Sequence, residues 1–179
     1  IGASTGGFTD CALQSGAKFV YAVDVGTNQL SWKIRQDERV KSLENCHVKD
    51  LKSEDLNGEK ADFIVVDVSF ISLGKVIPYF KDFLSENGKL VMLIKPQFEV
   101  GRENIEKGGI VKDFGKHKMA IENVIKSAEE IGLHINGIDV SPITGSKGNV
   151  EYISCFSKIP GEVYNIEEVV KAGEKLKKG

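Results

Sequence analysis

The order of apolar and polar segments predicts an α/β protein built on a doubly wound parallel sheet. Three observations carry that prediction. Apolar runs alternate with amphipathic ones as far as Ile131, and two strand-like runs then follow one another. The run Ala61–Val68 is nearly all apolar, as in a strand buried on both faces of a parallel sheet. Charged residues, Asp24, Asp67 and Lys95, close three of the apolar runs. Right-handed crossovers gather such strand ends along one edge, where open α/β sheets bind their ligands.

The chain starts on IGASTGGFTD, with Gly2, Gly6 and Gly7 between an apolar residue and an amphipathic run. Such a turn allows positive φ and close approach of a ligand, and aims the first N–H groups of the next helix at it. A plain strand-to-helix connection is the alternative. The spacing is not G-x-G-x-x-G, and no Lys-Ser/Thr follows Gly7, so neither a dinucleotide fingerprint nor a P-loop is present. Phe19–Val23 ends in Asp24, which suits the two hydroxyls of a ribose. A nucleoside without a pyrophosphate fits this pattern best, and S-adenosylmethionine is the obvious one. The candidate contacts are Gly2, Ala3, Ser4, Thr5, Gly6, Gly7, Asp24 and Val25.

Phe8–Ser15 reads as a helix closed by Gly16, with Phe8, Cys11, Ala12 and Leu13 inward. Lys18–Asp24 is a strand. A helix over Asn28–Gln36 carries the only tryptophan, Trp32, read as a packing residue. Val40–Glu44 is a short strand. Asn45–Val48 follows where an adenine would lie if Asp24 holds the ribose, giving His47 and Val48 as contacts, or His47 as a solvated loop side chain.

Leu51–Lys60 reads as a helical turn and a loop, Ala61–Val68 as a central strand, and Ser72–Leu84 as a helix kinked at Pro78. Glu86-Asn87-Gly88 turns the chain into the strand Lys89–Ile94, which ends at Lys95. Gln97–Val111 is long for a connection, so it is expected to be functional or mobile. Lys112–Ile131 is amphipathic, with Ala120, Val124, Ala128 and Ile131 on one face. His134–Val140 and Asn149–Ser157 form an antiparallel hairpin. Residues 1–158 make one domain. Residues 159–179 are a charged tail with Val163, Ile166, Val169 and Val170 at helical spacing, expected as a surface helix that frays at Lys177-Lys178.

The chain has 179 residues, 41% of them apolar, and a formal charge of −2, so any contact with nucleic acid needs a local patch. Cys11, Cys46 and Cys155 are an odd number without C-x-x-C spacing, as expected of free thiols in a reducing cytoplasm. No apolar run approaches the roughly 20 residues of a membrane-spanning helix. Because the chain opens on a glycine turn, a first strand truncated ahead of Ile1 is expected.

Asp67 and Lys95 each end an apolar strand. The choice for them is a structural ion pair or chemistry. Glu151, beside Val150 in the last apolar run, is either an outward strand position or a third member. A lysine that takes a proton from a hydroxyl must first lose its own. Carboxylates on either side oppose that loss, so a second basic group is physically expected nearby.

Six blocks in order, GASTGGFTD, YAVDVG, VVDVSFIS, IKPQFEVGRE, KGGIVKD and SPITGSKGNVEYI, resemble the TlyA family of hemolysin-like ribosomal RNA methyltransferases, within the FtsJ-like 2′-O-methyltransferases. The resemblance runs from Ile1 to about Ser157. It implies a Rossmann-like, seven-stranded sheet binding S-adenosylmethionine, and a Lys-Asp-Lys-Glu tetrad acting on a ribose 2′-hydroxyl. Asp67, Lys95 and Glu151 match its last three members, and the first lysine would lie upstream of Ile1. It also implies ribosomal RNA or ribosomal subunits as partners and an S4-type RNA-binding domain that is not in this chain. Arg102, Lys107 and Lys112 are the candidate RNA contacts. Two other classes compete: a membrane-lytic protein, and an idle RNA-binding module that keeps the fold.

Overall fold

Strand pairing in the computed structural model, which describes residues 1–162 and 164–178 without the side chains at 177–178, makes two sheets lying edge to edge. Strands β1 (Val20–Val23) and β2 (Val40–Leu43) pair in parallel. The second sheet has the order β3 (Ala61–Val66), β4 (Leu84–Ile94), β6 (Tyr152–Ser157), β5 (His134–Val140). There β3 and β4 are parallel, and β6 is antiparallel to both β4 and β5. Ile1–Ala3 sits between the two sheets. The Gly2 and Ala3 amides donate to the Val23 carbonyl, and Asp67 N–H donates to the Ile1 carbonyl. Six strands therefore form among the described residues, where the family resemblance implied seven.

The hairpin of the last two strands is present, with β6 inserted between β4 and β5. Helix α4 (Phe114–Glu129) starts on Asp113, whose carboxylate accepts the Gly115 N–H at 2.8 Å. Its Ala120, Ile121, Val124 and Ala128, spaced at three and four residues, cover one face of the larger sheet. Between them lie Leu90, Met92, Ile94, Tyr152 and Phe156, all fully buried. Each such side chain contributes about 1.5–3 kcal/mol. Ile131 is only half-buried.

Four elements differ from the sequence reading. Helix α1 (Gly7–Gln14) turns Thr9 and Leu13 inward, four residues apart, and leaves Phe8 and Cys11 exposed. The helix read over Asn28–Gln36 shrinks to α2 (Trp32–Arg35), because Asn28 is in the left-handed region and the helix cannot start until Ser31. A single turn has room for one inward residue, Ile34, so Trp32 is 71% exposed rather than packed. The helix read over Ser72–Leu84 is two 3-10 turns, Leu73–Lys75 and Ile77–Tyr79, since Pro78 has no N–H to extend a helical ladder. Glu86-Asn87-Gly88 is not a turn before a strand. It lies inside β4, where the pairing slips from Ala61–Leu84 to Phe63–Lys89 as a bulge.

Residues 97–111 are more ordered than expected: α3 (Pro96–Glu99), a 3-10 turn at Arg102–Asn104 and an isolated bridge between Glu106 and Ile110. In the tail, α5 (Ile166–Lys178) packs Val170 into the core cluster that holds Tyr152. Val163 lies outside the described residues.

Candidate active site

Strand register explains why three distant charges meet. Lys95 is the residue after β4, the strand flanked by β3 on one side and β6 on the other. Asp67 follows the last residue of β3. Ile94 pairs with Tyr152, so one step further along the antiparallel register sets Lys95 opposite Glu151. The Lys95 ammonium lies 2.6 Å from Asp67 Oδ1, approaching off the hydrogen-bonding direction, so the contact is ionic. It donates to Ser69 Oγ at 3.1 Å.

Glu151 is held differently. Its carboxylate is 7% exposed and has no direct ion pair with Lys95 among the described residues. Gln97, buried at 6% exposure, donates from Nε2 to Glu151 Oε1 at 3.4 Å. Burial pushes the Glu151 carboxyl above the usual carboxylate range, against the opposing pull of the Lys95 charge and the Gln97 hydrogen bond, while Asp67 adds to the rise. The carboxylate also lies directly against the α-carbon of Gly145, where any side chain would collide with it.

Glu99 ties the two strand-end loops together. Its carboxylate accepts from Ser72 Oγ at 2.7 Å and from Leu73 N–H at 2.8 Å, fixing the loop after Asp67 to the loop after Lys95. Burial raises its pKa, partly offset by those two hydrogen bonds. Across the same junction the rings of Phe70 and Phe98 lie 5.2 Å apart. Phe70 is 93% exposed and has φ +64, a costly backbone state for a bulky residue, as strained positions at functional sites often are.

These groups line a cavity of about 690 Å³. Asp67, Ser69, Lys95, Gln97, Asn149 and Glu151 are among its polar side chains, Phe8, Phe70, Phe98 and Ile143 among its apolar ones, and residues 141–147, with Lys147, form one rim. Asn149 holds that rim against the 100–111 segment. Its Oδ1 accepts from Val111 N–H (3.2 Å) and its Nδ2 donates to the Gly109 carbonyl (2.9 Å). His117, fully buried, contacts the Val111 carbonyl through Nε2 and the Tyr152 hydroxyl through Nδ1. A carbonyl only accepts, so Nε2 carries a proton.

The glycine turn meets this region at the backbone of Asp67. Gly2, at φ +72, packs its α-carbon on the Asp67 carbonyl, an approach only glycine allows. Asp24 accepts Ser4 N–H at Oδ2 and Gly26 N–H at Oδ1, both at 2.7 Å. A carboxylate has about four acceptor positions, so roughly two remain for a ligand. Gly6 caps α1 with no side-chain acceptor, leaving the first N–H groups of that helix available. The surroundings therefore fit the ribose and carboxylate of a nucleoside-linked amino acid. Ala3, Thr5 and Gly7 complete the turn, and Val25 lies exposed beside Asp24.

The predicted adenine residues are adjacent in space, since Cys46 N–H donates to the Asp24 carbonyl. His47 Nδ1 accepts from Lys49 N–H at 3.1 Å, capping a 3-10 turn instead of standing free. The Val48 side chain is in the main core, which leaves its backbone for a ligand. Arg102, Lys107 and Lys112 are exposed and none lines the cavity. Lys112 is paired with Glu106 at 2.7 Å. Sequence reasoning missed Ser69, Gln97, Glu99 and Asn149. The first three lie two to four residues beyond Asp67 or Lys95, a signal present in the sequence that only the fold makes readable.

Known proteins resemble this chain in sequence and fold. The chain is 44% identical over 151 residues to the 16S/23S rRNA (cytidine-2′-O)-methyltransferase TlyA of Mycobacterium tuberculosis H37Rv, covering 84% of this chain and 56% of that protein. It is 47% identical over 156 residues to Hemolysin A of Brachyspira hyodysenteriae, covering 87% and 65%. A solved Streptococcus thermophilus structure with a hemolysin name superposes with a TM-score of 0.94 at 46% identity, covering 99% of this chain and 66% of that one. The chain thus spans about 54–65% of the length of such curated relatives. The model of the FtsJ-like methyltransferases matches residues 1–158, and the chain belongs to that family.

Proposed function

We propose that the protein carries the catalytic domain of a methyltransferase that uses S-adenosylmethionine to methylate a ribose 2′-hydroxyl of ribosomal RNA. The observation that carries this reading is the convergence of Asp67, Lys95 and Glu151 on one cavity, with Gly2 of the glycine turn packed on the Asp67 carbonyl. Bound at that turn, S-adenosylmethionine supplies an electrophilic methyl group on a sulfonium. Asp24 holds the ribose hydroxyls of the cofactor, residues 2–7 its amino-acid end, and the His47–Val48 backbone its adenine.

Lys95 does the work at the substrate oxygen. Ser69 takes one of the three donors of the ammonium, and Asp67 offsets its charge. The remaining donor capacity orients a ribose hydroxyl and stabilises negative charge as it develops there. Glu151, steered by Gln97, sits across the strand gap to receive or share the proton. The stiffness of β3, β4 and β6 keeps the three groups in place, so positioning supplies much of the rate. Phe8, Phe70 and Phe98 give the cavity apolar faces on which a base can stack. Ile1–Ala3, hydrogen-bonded toward both sheets, fits the carboxyl end of a seventh strand.

The relatives named for RNA methylation support this reading. Partners would be ribosomal subunits, with an S4-type domain supplied by a longer chain. The test is radiolabelled methyl transfer from S-adenosylmethionine to purified ribosomal subunits, with the modified ribose mapped. Lys95→Ala should lower kcat about 10²- to 10⁴-fold while leaving cofactor affinity unchanged. Label on a base, or unaltered turnover in the variant, would overturn the assignment.

A further inference from the structure

We propose that Lys147 binds a backbone phosphate of an RNA strand whose ribose is presented to Lys95. This rests on the reading of the substrate as RNA. Two lysines line the cavity, Lys95 and Lys147. The charge of Lys95 is taken up by Asp67 at 2.6 Å. Lys147 has no acidic side chain within ion-pair distance among the described residues, and it is exposed. It is therefore the cation of this cavity that is free to meet an anion.

Its place is fixed by the chain on both sides. The ammonium lies over Gly109, 3.7 Å from where a β-carbon on that residue would be. Gly109 is in turn pinned by Asn149, two residues before Glu151. The Lys147 backbone is left-handed, φ +59 and ψ +18, a state that disfavours any residue with a β-carbon and favours glycine. A lysine at this position is thus not what the backbone selects. With Lys95 and Asp67 offsetting each other, Glu151 leaves the interior of the cavity net negative, and it repels phosphate. Lys147, the cavity lysine without an acidic partner among the described residues, stands at the rim, so an incoming strand gains by placing its phosphate there and its uncharged ribose at Lys95. A compact ammonium suits one phosphate oxygen.

Lys147→Gly tests this without the usual confusion with misfolding, because glycine relaxes the backbone at that site. Its melting temperature should equal or exceed that of the wild type. Binding of a single-stranded oligocytidylate of eight nucleotides should weaken, and its log–log salt slope should become shallower by about 0.7, the value for one phosphate contact on a single strand. With ribosomal subunits as substrate, KM should rise by a larger factor than kcat falls. Lys147→Arg, which keeps the charge, should keep the slope. An unchanged slope and KM in Lys147→Gly, or a slope lost equally in Lys147→Arg, would overturn the proposal. Oligonucleotide binding needs no methyl transfer, so a failure of the methylation reading would show separately, as a wild-type protein that binds RNA but transfers no label.

Discussion

The two halves of the sheet are built for different tasks. On one side, β3, β4, β6 and β5 carry a core in which Leu90, Met92, Ile94, Tyr152 and Phe156 are fully buried under α4. On the other, β1 and β2 rest on small clusters, Ala22 with Leu30 and Ile34, and Val23 with Leu51 and Leu56. The thin half presents backbone N–H groups and one carboxylate, Asp24, which shape and hydrogen bonding can place without a large core. The thick half holds opposite charges at fixed separation beside an apolar wall, and that needs stiff support. Ile1–Ala3 and the Asp67 backbone are where the two meet.

Deleting core from each half puts the contrast to its strongest test. Phe156→Ala should cost about 3–5 kcal/mol and Ile34→Ala about 2 kcal/mol, measured by urea unfolding. Ile34→Ala should also weaken cofactor binding, since Ile34 packs on Gly6 of the turn. Equal losses, with cofactor affinity untouched, would mean that the halves form one cooperative unit.

Asp24→Ala comes next in size. It should reduce affinity for S-adenosylmethionine ten- to a hundred-fold, about 1.5–3 kcal/mol by calorimetry, because it removes the proposed ribose acceptors and the anchor of Ser4 and Gly26 together. Unchanged affinity would remove Asp24 from the site.

Glu151→Gln separates stability from activity in the thick half. A carboxyl whose pKa is raised by folding binds its proton more tightly in the native state. Its contribution is fully present below the unfolded value of about 4.5 and is lost as pH rises through the folded one. Stability should therefore fall with rising pH in that window, and the variant should flatten the fall and be more stable near neutrality, while methyl transfer drops. Some slope should survive, because Glu99 is raised in the same direction. A steeper pH dependence in the variant would contradict burial as the cause. The smallest effect belongs to Trp32→Ala, which should change stability by no more than about 0.5 kcal/mol despite the size of the side chain, given its exposure.

Much of this protein could be read locally. The glycine turn, the acids and the lysine at strand ends, the strand His134–Val140 and the face of α4 all follow from patterns a few residues long: turn chemistry, periodicity, capping. Where a local pattern ran into distant packing, the reading failed. Asn28 in the left-handed region cut one expected helix to a single turn, and Pro78 without its N–H goes with the division of another into two 3-10 turns. Phe8 and Trp32 looked like core, and they stand exposed because the short elements that carry them have room inside for only one or two residues.

Apart from the final hairpin, the pairing of the strands was beyond the sequence. Nothing near Glu151 says that β6 slots between β4 and β5, yet that insertion alone puts it opposite Lys95, 56 positions away along the chain. The same holds for Gln97 reaching Glu151, Glu99 clamping Ser72, and Lys147 lying over Gly109. The sequence by itself determined which chemical groups stand at the ends of which strands, because that depends on neighbours in the chain. Only the tertiary structure decided which of those groups share a cavity, because register and crossover are settled by the burial of whole faces, and no short stretch contains that information.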